Sequence, residues 1–292
     1  MFHGSIVALI TPFTSGAIDE EAFQSVIEWH LEQGTDALVP CGTTGESPTL
    51  SHAEHERVID LCVEAAGGKA PVIAGTGSNS TDEAISLTRH AKQAGADAAL
   101  VVTPYYNKPH QAGLYAHYKA IADAVDIPII IYNVPPRTAV DVSVETMARL
   151  AGDCPNIIGV KDATANLSRP LATRRAIGDD FCQLSGEDAT VISFLGNGGV
   201  GCISVTANVA PGLCAGMHDA WRRGDVQSAI EINQRLYPLH AALFLEPSPA
   251  PVKYASSLIE KSSPEVRLPL VEVSDATKAA VEDSMRFAGL LN

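Results

Sequence analysis

Positive charge is scarce in this chain: 20 Lys and Arg stand against 34 Asp and Glu, a formal net charge of −14. Nucleic acid and anionic membrane surfaces both require a basic face, so neither is an expected partner. Long apolar runs are missing too, and no stretch reaches the ~18 residues of a membrane-spanning helix. Six cysteines (Cys41, Cys62, Cys154, Cys182, Cys202, Cys214) include no C-x-x-C pair. That speaks against a disulfide frame or a zinc site and for reduced, mostly buried thiols. No basic n-region followed by an apolar h-region is read at Met1-Phe2-His3-Gly4-Ser5, and the expected location is the cytoplasm. His52 and His55 lie three apart, but H-A-E-H is not H-E-x-x-H and no third ligand is placed, so no metal is expected. Hydrophobic residues at 46% and charged residues at 18% give a globular balance, with aromatics at only 5%.

What is present is a regular alternation. Short apolar or β-branched runs at Ser5–Ile10, Asp36–Val39, Val72–Thr76, Ala98–Thr103, Pro128–Asn133, Ile157–Asp162, Phe181–Gly186 and Cys202–Thr206 predict eight strands. Helical stretches follow them, from near Asp19, Ser51, Ser80, Gln111, Ser143, Leu167, Asp188 and Ala210. Ser51-His52-Ala53-Glu54 has the form of a capping box, and Ser80 and Ser143 suit N-caps. Gly67-Gly68 and Gly95 end the helices before them. At 292 residues the chain suits one large α/β barrel or two ordinary domains. Eight β/α units in register favour an α/β fold closed as a (β/α)8 TIM barrel, because closure removes both exposed edges. An open doubly wound sheet is the alternative that strand counting does not exclude.

Beyond about Gly224 the pattern is helical only, over Val226–Leu243, Pro251–Glu260 and Ala276–Leu290, with proline-rich joints such as Glu246–Pro251. The expected division is a catalytic barrel over 1–224 and a C-terminal helical extension over 225–292. Gly196–Gly201 matches G-x-G-x-x-G, but it follows a helix and precedes a strand, the reverse of a dinucleotide site. It is read as a flexible connection.

Lys161 is the most informative residue. It ends the apolar run Ile157–Val160, whereas the other seven lysines sit in polar, helical or loop-like surroundings. A lysine at the end of a buried strand either pairs with an acid, such as Asp162, or loses its proton. Desolvation lowers a buried lysine's pKa by roughly 3–5 units, and the neutral amine is a nucleophile toward ketones. Other unusual residues fall at strand ends, where barrels carry their chemistry. Gly42-Thr43-Thr44-Gly45-Glu46 is a small-residue turn whose amides suit a carboxylate, or else an ordinary tight turn. Thr103-Pro104-Tyr105-Tyr106-Asn107 puts two phenols beyond a strand. Tyr132-Asn133-Val134-Pro135-Pro136-Arg137 sets an arginine on a stiffened loop that suits bidentate carboxylate binding. The last two strands end at Gly186 and Ile203-Ser204, where backbone can approach a ligand.

Taken together, GTTGE at 42–46, TPYYN at 103–107, YNVPPR at 132–137, GVKDAT at 159–164 and ISVTAN at 203–208 resemble the dihydrodipicolinate synthase family. The likeness runs from Ser5 to Leu291. It implies a lyase that condenses pyruvate with L-aspartate 4-semialdehyde, the first committed step of diaminopimelate and lysine biosynthesis. In that pattern Lys161 would form the Schiff base, and Thr43 and Thr44 would hold the pyruvate carboxylate. Thr43, Tyr132 and Tyr106 would relay protons, with Tyr106 reaching in from a neighbouring subunit. Arg137 would bind the carboxylate of the aldehyde, and the Gly186 and Ile203 carbonyls would shape the pocket. The resemblance implies no metal or organic cofactor, and a homotetramer built as a dimer of dimers. L-lysine would act as feedback effector at Ser47, Pro48, His52, His55, Asn79, Glu83 and Tyr105; Pro48 departs from the alanine often found there.

Two alternatives stand beside this. A sister aldolase acting on N-acetylneuraminate or 2-keto-3-deoxy sugar acids shares the lysine and the Tyr-Asn-x-Pro signature. The Thr43-Thr44 pair, Tyr106 and the placement of Arg137 favour the synthase. A barrel that binds a small acid without turnover is the second, and it predicts no covalent pyruvate adduct.

Overall fold

The apolar runs form strands and the amphipathic stretches form helices in a computed structural model that describes residues 2–292. The chain begins β1 (Gly4–Ala8), β2 (Phe13–Thr14), β3 (Ala17–Ile18), α1 (Glu20–Glu32), β4 (Ala37–Val39), α2 (His52–Ala66), β5 (Ile73–Gly75) and α3 (Thr81–Ala94). It continues with β6 (Ala98–Val102), α4 (Gln111–Ala124), β7 (Ile129–Asn133), α5 (Pro135–Thr138), α6 (Val144–Asp153), β8 (Ile157–Asp162), α7 (Arg169–Ile177) and β9 (Cys182–Ser185). It ends with α8 (Val191–Gly196), β10 (Gly201–Ser204), α9 (Pro211–Arg222), α10 (Val226–Ala242), α11 (Ala250–Leu258) and α12 (Asp275–Phe287). Apart from the small β2–β3 hairpin, the strands are the eight expected. The fold is a (β/α)8 TIM barrel followed by C-terminal helices. The segment 196–201 joins a helix to a strand, as read.

Two compact units make up the chain, one comprising Val72–Ile203 with the residues up to His3, the other Gly4–Pro71 and Ser204–Asn292. In the first, strands run parallel in the order β10-β9-β8-β7-β6-β5. Its core joins Val101, Ile129, Ile131 and Val160 of the sheet to Leu114, Tyr118 and Ile121 of α4 and Met147 and Leu150 of α6. Each such side chain contributes about 1.5–3 kcal/mol by leaving water. The Tyr118 hydroxyl, inside this core, donates to the Val101 carbonyl at 3.0 Å.

One irregularity in this unit matters to the chemistry. Ile129 pairs with Ile157, but Ile130 pairs with Gly159, so β8 bulges at Ile158. Alternation along a strand sends successive side chains to opposite faces, and one extra residue inverts everything after it. Ile157 and Val160 therefore both join the helix-side core, and Lys161 turns to the other face.

In the second unit β1 pairs in parallel with β4, Val7 opposite Leu38. Helix α1 packs on α2, α9 on α10, and α10 and α11 on α12. The capping box at Ser51 is complete: Glu54 accepts from the Ser51 amide at 2.8 Å and Ser51 Oγ from the Glu54 amide at 3.3 Å. Ser80 and Ser143 cap α3 and α6. Gly67 and Gly95, at φ +53° and +94°, close α2 and α3 in the left-handed conformation that glycine adopts without strain. The β2–β3 hairpin was not legible because two-residue strands carry no periodicity.

Candidate active site

Lys161 is 6% exposed, and its amine stands over the Tyr132 ring, 4.3 Å from the centroid. The two residues are register partners across β7 and β8, so they project side by side from one face. Gly186 completes this cluster. A Cβ there would lie 3.1 Å from Lys161 Cε and 2.7 Å from Ala163 Cβ, so only glycine lets the backbone come this close to the lysine. Among the described residues no carboxylate pairs with Lys161.

The acid expected as its partner is engaged elsewhere. Asp162 Oδ2 accepts from Arg169 Nε at 2.7 Å, and Oδ1 accepts from the Thr164 hydroxyl at 2.5 Å and the Thr164 amide at 3.0 Å. Arg169 in turn donates to the Val142 carbonyl at 2.9 Å and reaches Asp141 at 3.4 Å. Asn133 donates to Asp141 at 2.7 Å and accepts from the Val142 amide at 3.1 Å, closing the network. Burial, then the charge of Asp188, pushes the Glu187 carboxyl above the usual carboxylate range.

Thr43 and Thr44 belong to the second unit. Their turn is held by its own backbone: the amides of Gly45, Glu46 and Ser47 donate to Gly42 and Thr43 carbonyls, and Thr11 Oγ1 donates to Gly45 O at 2.8 Å. The Thr43 and Thr44 amides have no protein acceptor among the described residues, although Thr44 is buried. Buried amides without acceptors are costly. The turn is therefore suited to an anion, above all a carboxylate.

Tyr106 lies on the loop after β6 at φ +65° and is 89% exposed. A tyrosine in the left-handed region is strained by about 1–3 kcal/mol, and a side chain this exposed gains little by packing. Arg137 sits on α5 with prolines at the start of that turn. Its guanidinium is exposed and has no partner among the described residues. Ile203 is buried in β10.

Of the candidate effector residues, Asn79, Glu83 and Tyr105 gather in the first unit. Asn79 Nδ2 donates to the Tyr105 carbonyl at 3.2 Å, Asn107 Nδ2 to the Asn79 carbonyl at 2.8 Å, and Ser78 Oγ to Glu83. Ser47 and Pro48 form the 3₁₀ turn before α2, and His52 and His55 its first turns, in the second unit. His52 is exposed and His55 buried.

Lys253 lies on a helix, as the sequence indicates, but there it is fully buried on α11 and donates to Glu46 Oε1 at 2.7 Å. A lysine inside an ordinary-looking helix gives no sequence signal of its carboxylate partner two hundred residues away. The pairing of Arg169 with Asp162 leaves no sequence signal either, since spacing does not show which acid an arginine meets.

Comparison with known proteins places these features in context. The model of the Dihydrodipicolinate synthetase family matches residues 1–288. A Rhodospirillum centenum protein named 4-hydroxy-tetrahydrodipicolinate synthase is 67% identical, with 100% of each chain covered. The crystal structure of the chloride-inhibited dihydrodipicolinate synthase from Acinetobacter baumannii complexed with pyruvate superposes with a TM-score of 0.97 at 45% identity, covering 100% of both chains. The crystal structure of the Cyanidioschyzon merolae counterpart with lysine bound gives 0.96 at 39% identity, covering 99% of both.

Proposed function

The chain belongs to the dihydrodipicolinate synthetase family, and on that premise we propose that it condenses pyruvate with L-aspartate 4-semialdehyde to give 4-hydroxy-tetrahydrodipicolinate. This lyase reaction is the first committed step of diaminopimelate and lysine biosynthesis. The observation that carries the reading is the buried Lys161 amine, set over Tyr132 and free of any carboxylate partner among the described residues. The amine adds to C2 of pyruvate, and the carbinolamine loses water to give an iminium. The iminium draws electrons from the methyl group, which loses a proton and becomes an enamine. The enamine carbon attacks the aldehyde. The amine of the bound product then adds to the iminium carbon, closing the ring and releasing Lys161.

Each step moves a proton. Tyr132 is the proximal acid/base, with Thr43 and Tyr106 completing the relay. Thr43 and Thr44 hold the pyruvate carboxylate, Arg137 holds that of the aldehyde, and the Gly186 and Ile203 carbonyls line the pocket. The lysine itself supplies the electron sink the chemistry needs. Residues 1–224 form the catalytic barrel domain, 225–292 form the helical extension, and the enzyme works in the cytoplasm.

Tyr106 acts in the site of a neighbouring subunit within a homotetramer, a dimer of dimers. Its exposure and strained backbone support this. Tyr106→Phe is expected to slow turnover by roughly 100-fold or more. Mixing Tyr106→Phe chains with Lys161→Ala chains should restore activity, because a hybrid site combines an intact lysine with an intact tyrosine. No recovery on mixing would refute the cross-subunit role.

L-lysine is the feedback effector, bound by Ser47, Pro48, His52, His55, Asn79, Glu83 and Tyr105. The lysine-bound relative supports this. Millimolar L-lysine is expected to lower the initial rate, and Glu83→Gln to weaken that inhibition. Full activity in millimolar lysine would remove the regulatory reading and leave the catalytic one intact.

A further inference from the structure

Glu46 ends the turn that carries Thr43 and Thr44, and it does so at φ +54°, a conformation that strains any residue with a side chain. Its carboxylate is out of water. Oε1 accepts from Lys253 Nζ at 2.7 Å, and Oε2 accepts from the Arg267 amide at 3.0 Å. The Lys253 amine also lies 4.0 Å from the centre of the Phe13 ring, and the Arg267 guanidinium lies 4.3 Å from the same ring. Burial draws the Lys253 ammonium below the ordinary lysine range, and the charge of Glu46 opposes it. Arg267 extends the attachment, donating to the Thr49 carbonyl at 3.0 Å, to Glu54 at 2.6 Å and to the Gly16 carbonyl at 2.7 Å.

A buried ion pair is a weak source of stability, because the desolvation of two charges offsets most of their attraction. Its geometry here is more telling than its energy. The pair anchors the end of the turn that carries the acceptor-free amides of Thr43 and Thr44, two residues after Thr44, to a helix that lies more than two hundred residues later in the chain.

Resting on the reading of Thr43 and Thr44 as the pyruvate-carboxylate turn, we propose that Glu46 and Lys253 are positioning residues. They fix that turn so that its amides meet the carboxylate. The C-terminal helices thereby act on pyruvate binding without touching it. Misplacing a binding group by ~1 Å costs up to about 100-fold.

Three variants test this: Glu46→Gln, Lys253→Met, and the two combined, which removes both buried charges and leaves neither unpaired. In every variant that folds by circular dichroism, the KM for pyruvate is expected to rise about 10- to 100-fold. The KM for L-aspartate 4-semialdehyde and kcat at saturating pyruvate should change little. Lys253→Arg should recover part of the pyruvate KM. A pyruvate KM equal to that of the native chain in a folded variant would overturn the proposal. So would loss of the fold in all three, which would assign the pair to stability alone. The native chain's borohydride adduct with pyruvate is read separately: its absence would defeat the Schiff-base reading, whereas its presence beside an unchanged KM defeats only the positioning role.

Discussion

Borohydride reduction in the presence of pyruvate is expected to add one reduced pyruvyl group to the native chain and none to Lys161→Ala. Only an imine between an amine and the keto carbon is trapped this way, so intact-mass measurement reads the chemistry directly. The other deeply buried lysine, Lys253, is held by Glu46 and does not substitute. Turnover of Lys161→Ala should fall to the uncatalysed level, since the amine that forms the imine is gone. The fold should survive, because among the described residues the Lys161 amine has no hydrogen-bond or ion-pair partner that the truncation would orphan. An equal adduct on Lys161→Ala would refute the assignment, and most activity surviving would do so independently.

Arg169→Met is expected to be the most damaging single change to stability. Asp162 and Arg169 are both nearly withdrawn from solvent, and their bond is 2.7 Å. Removing the guanidinium leaves a buried carboxylate with only Thr164 as partner and strands the Val142 carbonyl. Breaking a buried pair from one side costs about 3–5 kcal/mol, which lowers Tm by about 5–15 °C. Adding Asp162→Asn should recover part of that loss, because no unpaired charge remains. A single variant as stable as the native chain would show that the network is not needed to hold Asp162. The network sits directly behind the site, since strand alternation puts Asp162 on the face opposite Lys161 and Arg169 holds it there.

Periodicity and punctuation were enough for most elements. The capping box at Ser51, the caps at Ser80 and Ser143 and the closing glycines all appear where local sequence puts them, because each works within a few residues of itself. The β2–β3 hairpin and the short helix α5 escaped notice, being too brief to carry a pattern. The site was legible as a set of unusual residues at strand ends. The partners of those residues were not, because a hydrogen bond between Lys253 and Glu46, or between Arg169 and the Val142 carbonyl, leaves no trace in spacing.

The sequence by itself determined the order of strands and helices, the chemical types at the strand ends and the burial of Lys161, since all of these follow from local composition. Which way Lys161 faces was decided only in the tertiary structure. The bulge at Ile158 inverts the alternation of β8 and brings the amine over Tyr132. The pairing of Asp162 was settled the same way: strand alternation turns it to the face opposite Lys161, where Arg169 donates to it. Side-chain pairing across distant segments depends on how strands register and helices pack, and no single stretch of sequence contains that information.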